Sequence, residues 1–216
     1  MSDLTTIVIN FQTPDLIKTA VESFRKFYPE EELLIIDNGS KDELSKDVIL
    51  ALSKKNSKTK TLFLSNNIFH GPAMNLAIKT TFTKYLFFLD SDTKTIYGGF
   101  LEKMMSELSV SEKNYAIGKR DSVNKRGFIT KTNGIPIVRS SYMMLKRESY
   151  FLFPEFCHQG LPSYENFKEA NQNGFSLLSF PIENYIEHAG RGTASKFGYK
   201  LGLKSKIDFA LNKLGI

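Results

Sequence analysis

A single cysteine, no tryptophan and only three histidines occur among 216 residues, and each scarcity excludes something. Cys157 alone forms no internal disulfide, which fits a reducing compartment, and no Cys/His cluster spells out a structural zinc site. No stretch reaches the roughly 18 apolar residues of a membrane-spanning helix. The opening MSDLTTIVIN lacks the basic stretch and longer apolar run of a secretory signal. Internal repeats and low-complexity linkers are also missing, so a single domain with a tail is expected. Charge is short of either extreme: net +6, with 41% hydrophobic and 24% charged residues, is a globular balance. That surplus is uneven, because residues 187–216 carry +4 and the other 186 residues only +2. A nearly neutral body argues against a nucleic-acid partner. The expectation is a soluble, cytoplasmic protein, peripheral at most on the inner face of a membrane.

What is present is a rhythm of short apolar runs and amphipathic stretches. Ile7–Ile9, Leu33–Ile36, Leu62–Leu64 and Tyr85–Leu89 are continuous apolar runs, as in strands covered on both faces. Between them lie helical patterns: Leu16, Ala20 and Phe24 behind a Thr13 cap and Pro14, then Leu44, Val48 and Leu52 behind the capping-box pair Ser40 and Glu43. A third helix opens at Pro72 and a fourth spans Gly99–Leu108. This alternation predicts parallel βαβ units. Farther on, Asn124–Gly127 reads as a hairpin turn joining strands Tyr115–Lys119 and Phe128–Lys131. Tyr142–Leu145 reads as a buried strand, Glu165–Asn173 as a short helix and Phe175–Phe180 as a further strand. Lys196–Leu214 has the spacing of an amphipathic helix.

Polar residues gather where the expected parallel strands end: Asn10, then Asp37-Asn38-Gly39-Ser40, Ser65-Asn66-Asn67 and Asp90-Ser91-Asp92. Open parallel sheets bind ligands beyond their carboxyl ends, so these clusters would share one crevice. Taken singly, each is also an ordinary polar βα turn. Asp90 and Asp92 are the most pointed, because residues two apart in extended chain project to one side and two carboxylates repel unless a cation lies between them. Mg²⁺ or Mn²⁺ takes such oxygens together with phosphate oxygens, and so neutralises a departing diphosphate.

The blocks Ile35–Ser40, Asn66 with Gly71–Asn75, and Phe87–Asp92, preceded by Ile7–Phe11, resemble in order and spacing the signature blocks of family 2 glycosyltransferases of the GT-A fold. Ser141–Glu148 and Phe153–Phe156 look like the entry to that family's acceptor half. The resemblance implies an α/β fold of GT-A type, with a mostly parallel Rossmann-like sheet flanked by helices. It implies a glycosyltransferase domain over residues 1–192, divided into a donor half (1–95) and an acceptor half (96–192), and a basic C-terminal helix over 193–216. It further implies an inverting, metal-dependent enzyme that takes a nucleotide-sugar, UDP-linked by preference. Asn10, Phe11, Asp37, Asn66, Gly71, Asn75 and Asp90 would line the donor. Gly71 would let the backbone approach it closely. Asp92, with Asp90 and His188, would hold Mn²⁺ or Mg²⁺. The acidic pair that commonly supplies the base is missing; Glu165, at the expected helix start, and Glu155 are the candidates. The chain has no Trp, hence no Gln-x-x-Arg-Trp signature of processive relatives, which points to transfer of single sugars onto a glycan or lipid-linked acceptor.

Five lysines between residues 196 and 214 could lay the tail on an anionic membrane, or face water while Leu203, Ile207, Leu211 and Leu214 pack on the domain. Two rivals stand beside the glycosyltransferase reading. A sugar-nucleotide nucleotidyltransferase would carry a Gly-rich, Arg-containing loop after the first strand, where Asn10–Pro14 has no glycine. A non-catalytic binder of nucleic acid or membrane would rest on the tail alone.

Overall fold

Residues 3–125, 127–131, 134–157 and 161–190 are described by the structure, a computed structural model. The expected tail helix lies outside the described residues, as does the boundary at 192. In chain order the elements are β1 (Leu4–Asn10), α1 (Pro14–Arg25), β2 (Glu32–Asp37), α2 (Glu43–Lys55), β3 (Thr59–Phe63), α3 (His70–Thr80), β4 (Tyr85–Asp90) and β5 (Thr93–Thr95). They continue as α4 (Phe100–Ser109), β6 (Asn114–Gly118), β7 (Arg120–Val123), β8 (Ile135–Val138), β9 (Tyr142–Lys146), α5 (Arg147–Tyr150), α6 (Tyr164–Gln172), β10 (Ser176–Ser179) and β11 (Ile186–His188).

Seven strands form one sheet in the order β10-β6-β9-β4-β1-β2-β3, with β9 alone antiparallel to its neighbours. The continuous apolar run of β4 is explained by burial on both sides. Tyr85, Phe87 and Leu89 pack with Ile17, Phe24, Ile49 and Met104 from α1, α2 and α4. Leu86 and Phe88 pack with Met74, Ile78 and Phe167 from α3 and α6. Each such ring or aliphatic chain removed from water stabilises the fold by about 2–3 kcal/mol. Because α1 and α2 cover one face and α3 the other, the winding reverses between β1 and β4. The crevice at that switch point opens where Asn10 and Asp90 end their strands.

Local chemistry departs from the sequence expectations at several ends. Thr13 precedes α1 without capping it, because its hydroxyl donates to Asn10 Oδ1 at 2.8 Å. The cap of α2 is Asp42, accepting from Ser45 N, while the Ser40 hydroxyl donates to Asp37. Strand β3 starts earlier than Leu62, at Thr59, and α3 starts at His70, two residues before Pro72. The Asn124–Gly127 turn forms, with Gly127 N donating to Asn124 O, yet Phe128–Lys131 contributes only a bridge from Ile129 to Val123. The expected strand Tyr115–Lys119 falls largely in β6, which pairs with β9 and β10 and not across the turn, and β7 pairs with β8. Among the described residues no helix is long and apolar enough to cross a membrane.

Candidate active site

At the end of β4 the chain turns through Ser91 and Asp92 into β5. The two carboxylates therefore converge through a turn and not by strand alternation. Antiparallel pairing of β5 with β11 sets His188 opposite Thr93 and so beside Asp92. His188 Nε2 lies 3.3 Å from Asp92 Oδ1 and 3.7 Å from Asp90 Oδ2. Ligand atoms of Asp90, Asp92 and His188 all fall within 4.8 Å of one another. Asp92 is buried, and its carbonyl accepts from Ala189 N at 2.8 Å, which locks the turn to β11.

The electrostatics fit a cation. Hydrogen bonding to Asp90 raises the His188 pKa against the opposing effect of burial, with the Asp92 charge adding to the rise. Burial works to raise Asp90, but its bonds to His188 and Ser141 and the nearby His70 hold it below the ordinary carboxylate value. Gly190 N–H donates to His188 Nδ1 at 3.1 Å, which leaves the neutral ring's proton on Nε2, facing the carboxylates. A divalent ion would stand in place of that proton. Two carboxylates and an imidazole form a donor set that suits Mn²⁺, and Mg²⁺ through its oxygens.

Next to this cluster, Asp37 is buried and almost saturated. Its Oδ1 accepts from Asn10 Nδ2 at 3.0 Å and Ser40 Oγ at 2.6 Å, and its Oδ2 from Ser40 N at 3.0 Å. Asn10 is wholly buried between Asp37 and Thr13, so it orients Asp37 and presents no surface of its own. Phe11 lies half-buried at the start of the following loop. Asn66 is exposed, with its backbone laid over Gly39. Gly39 has φ +77°, and a Cβ there would lie 2.2 Å from Asn66 C, so its glycine joins the β2 and β3 loops.

Gly71 and Asn75 face another part of the chain. A Cβ on Gly71 would lie 1.9 Å from the carbonyl oxygen of Cys157. Asn75 clamps the same segment, donating from Nδ2 to Phe156 O at 2.8 Å and accepting Phe156 N at 3.0 Å and the Tyr150 hydroxyl. Glu155, on that segment, is held by Lys79 Nζ at 2.5 Å and by Asn75 Nδ2 at 3.4 Å. Lys79 is nine residues along α3 from His70, about 13 Å from the crevice end of the helix. Glu165 opens α6, half-exposed, with Lys168 Nζ 3.0 Å from its carboxylate.

Two cavities flank the cluster. One of about 400 Å³ is lined by Leu16 and Thr19 of α1 together with Asp92, Lys94, Glu187 and His188. Another of about 300 Å³ lies by the β7–β8 hairpin, lined by Asp121, Ile129, Arg139, Ser140, Ser141 and Leu161. Ser141 joins it to the cluster, since its carbonyl accepts from Asp90 N at 2.8 Å. Three contributors escaped the sequence reading. His70 places Nε2 3.9 Å from Asp90 Oδ1. Tyr142 sets its ring edge-on to His188. Asn38 ties β2 to the β3–α3 loop through Ile68, Asn67 and Phe69. Only Asn38 had a signal, its place in a strand-end cluster.

A mostly parallel sheet that carries an Asp-x-Asp turn at its switch point defines an α/β protein of the GT-A type. The chain belongs to glycosyl transferase family 2, whose profile matches residues 5–161. It is 32% identical over 119 residues to an uncharacterized glycosyltransferase of Rickettsia conorii, a match covering 54% of this chain and 18% of that protein. The fold is shared with the mannosyltransferase PcManGT of Pyrobaculum calidifontis, determined with GDP-Man and Mn²⁺, at a TM-score of 0.66 and 16% identity over 83% of this chain and 55% of that one. It is shared also with S. aureus TarS 1-349 in complex with UDP-GlcNAc, at a TM-score of 0.67 and 17% identity over 98% of this chain and 65% of that one. The chain therefore spans less than two thirds of each of these proteins.

Proposed function

We propose that the chain transfers a single sugar, with inversion, from a nucleotide-diphosphate donor (UDP-linked by preference) to a hydroxyl of a glycan or lipid-linked acceptor. The observation that carries this reading is the convergence of Asp90, Asp92 and His188 at the switch-point end of β4. Those three residues would hold Mn²⁺ or Mg²⁺, which supplies Lewis-acid stabilisation of the leaving diphosphate when bound. Asp37, oriented by Asn10 and Ser40, keeps acceptor capacity on Oδ2 for a donor N–H or ribose hydroxyl. That PcManGT was determined with GDP-Man and Mn²⁺, and TarS 1-349 with UDP-GlcNAc, supports a nucleotide-sugar as the donor.

In the step itself, the acceptor oxygen bonds to the anomeric carbon as the bond from that carbon to the diphosphate oxygen breaks. The bonding pair leaves with the nucleotide, and the acceptor proton goes to a carboxylate. Glu165 is the favoured base because it stands in the first turn of α6, where the family resemblance puts the carboxylate, and is held only by its neighbour Lys168, whereas Glu155 is held by both Lys79 and Asn75. The hairpin cavity beside Ser141 offers room for the acceptor. Contact of residues 196–214 with a membrane surface would bring the enzyme to a lipid-linked acceptor.

The test is a panel of UDP- and GDP-sugars with Mn²⁺, read as nucleotide release by the chain and by Asp92→Asn. Release is expected to fall at least about 100-fold in the variant with its circular dichroism unchanged. Equal turnover by the two proteins refutes the cation role of Asp92.

A further inference from the structure

Among the described residues only Gln12 and Phe69 take positive φ without being glycine, at 55° and 69°. Both sit on the rim of the crevice, one following β1 and the other preceding α3. Phe69 is the costlier, since φ 69° with ψ 167° is a region open essentially only to glycine. A chain that needed only this bend would gain by carrying glycine. Instead several bonds impose the conformation on phenylalanine. Its N–H donates to Asn67 Oδ1 at 2.7 Å, and its carbonyl accepts from Asn38 Nδ2 at 3.3 Å and Ala73 N at 3.1 Å. The ring held in this way remains 53% exposed, so core packing does not account for it.

Its location supplies the reason. The bond to Asn38 ties Phe69 to the end of β2 beside Asp37, while the next residue, His70, leans on Asp90 at the end of β4. Strands β2 and β4 flank β1, about 10 Å apart, which is the space a nucleoside needs between Asp37 and the cation cluster. We propose that Phe69 is a donor-binding residue whose ring is a stacking platform for the planar base of the donor nucleotide. This rests on the donor reading given above. The base is the flat, uncharged face of such a donor, and aromatic stacking stabilises it without demanding one hydrogen-bonding pattern. Strain stored at Phe69 offsets part of the fold's stability to keep the ring in place before ligand arrives.

Calorimetric titration of the chain with UDP, GDP and inorganic pyrophosphate, each with Mn²⁺, tests it on Phe69→Gly, Phe69→Trp and Asp92→Asn. Phe69→Gly is expected to raise Tm by about 2–6 °C through released strain. It should weaken the nucleoside diphosphate that the parent chain binds by about 5- to 150-fold and leave pyrophosphate unchanged. Phe69→Trp is expected to keep that diphosphate. Unaltered diphosphate binding by Phe69→Gly, with binding lost in Asp92→Asn, overturns the stacking role and leaves the donor reading standing. Joint loss of diphosphate and pyrophosphate with a lowered Tm also overturns it, because Phe69 would then be structural. A parent chain that binds none of the three probes overturns the donor reading and the stacking together.

Discussion

Replacing Gly71 by alanine separates two reasons for a glycine at the start of α3. The family resemblance makes Gly71 a place where the backbone approaches a donor, whereas its neighbours in the fold are Cys157 and Phe156. A Cβ there would lie 1.9 Å from Cys157 O, 2.7 Å from Cys157 C and 3.3 Å from Phe156 C. Ordinary contact begins near 3.4 Å, so the 157 carbonyl must retreat by about 1.5 Å. One turn along α3, the Asn75 clamp on Phe156 has bonds of 2.8 and 3.0 Å, and a shift of that size breaks both. Two buried bonds at about 1 kcal/mol each, with a stranded amide costing about 1–3 kcal/mol more, come to roughly 3–5 kcal/mol. At about 2–4 °C per kcal/mol for a chain of this size, Gly71→Ala should melt about 6–20 °C lower. Thermal unfolding measures this directly. The double variant with Asn75→Ala should lose little more than Gly71→Ala alone, because both substitutions open one clamp. An unchanged Tm combined with lost nucleotide binding would refute the reasoning and return Gly71 to the donor pocket.

The other two predictions concern a helix cap and a base. Tyr28 Oη accepts from Phe100 N at 2.9 Å and Leu101 N at 3.3 Å, capping α4 where Gly99 has no side chain to do so. Burial pushes this phenol up to about 12, from an ordinary 10. The folded chain thus holds the proton more tightly, a contribution complete below pH 10 and lost as pH rises toward 12, worth about 2–3 kcal/mol. Urea unfolding should show the parent losing stability faster than Tyr28→Phe across that window, with the variant about 1–3 kcal/mol weaker at neutral pH; parallel decline would sink the account. For the base, Glu165→Gln should cut nucleotide transfer by about 100- to 10,000-fold with donor binding intact. Glu155→Gln should keep turnover and lose at most about 1 kcal/mol with its exposed Lys79 pair. The reverse pattern of turnover would move the base to Glu155.

The parallel half was legible because its strands are short apolar runs and its helices carry one apolar stripe each, so period and length sufficed for β1 to β4 and α1 to α4, though not for the short polar strand β5. The acidic turn was legible for a related reason: charge directly after the most buried strand has no packing use. The distant half was harder. β7 pairs along its length with β8, while the chain just after the Asn124 turn adds only the Val123–Ile129 bridge, and a turn signal gives no hint that the next segment pairs so little. Capping residues misled for a physical reason as well. Thr13 and Ser40 have the side chains of helix caps, yet both hydroxyls are drawn into the Asn10–Asp37 network across the crevice. Local rules fail here because the site competes for the same groups.

That competition also explains which residues no spacing could find. His70 and Phe69 act through contacts between the ends of different strands, and their geometry exists only once α3 has crossed from β3 to β4. His188 entered through family resemblance alone, since a lone histidine far from Asp92 becomes a ligand candidate only when β11 pairs with β5. The crevice is therefore assembled from turns whose own preferences are overridden: a threonine that does not cap, a phenylalanine in a glycine's conformation, two carboxylates within reach of one imidazole. Of these departures the Phe69 conformation costs stability where it occurs, whereas the imidazole stabilises the carboxylates beside it. The concentration of these departures around one end of β1 and β4, and not across the sheet, is what distinguishes a built site from a polar edge.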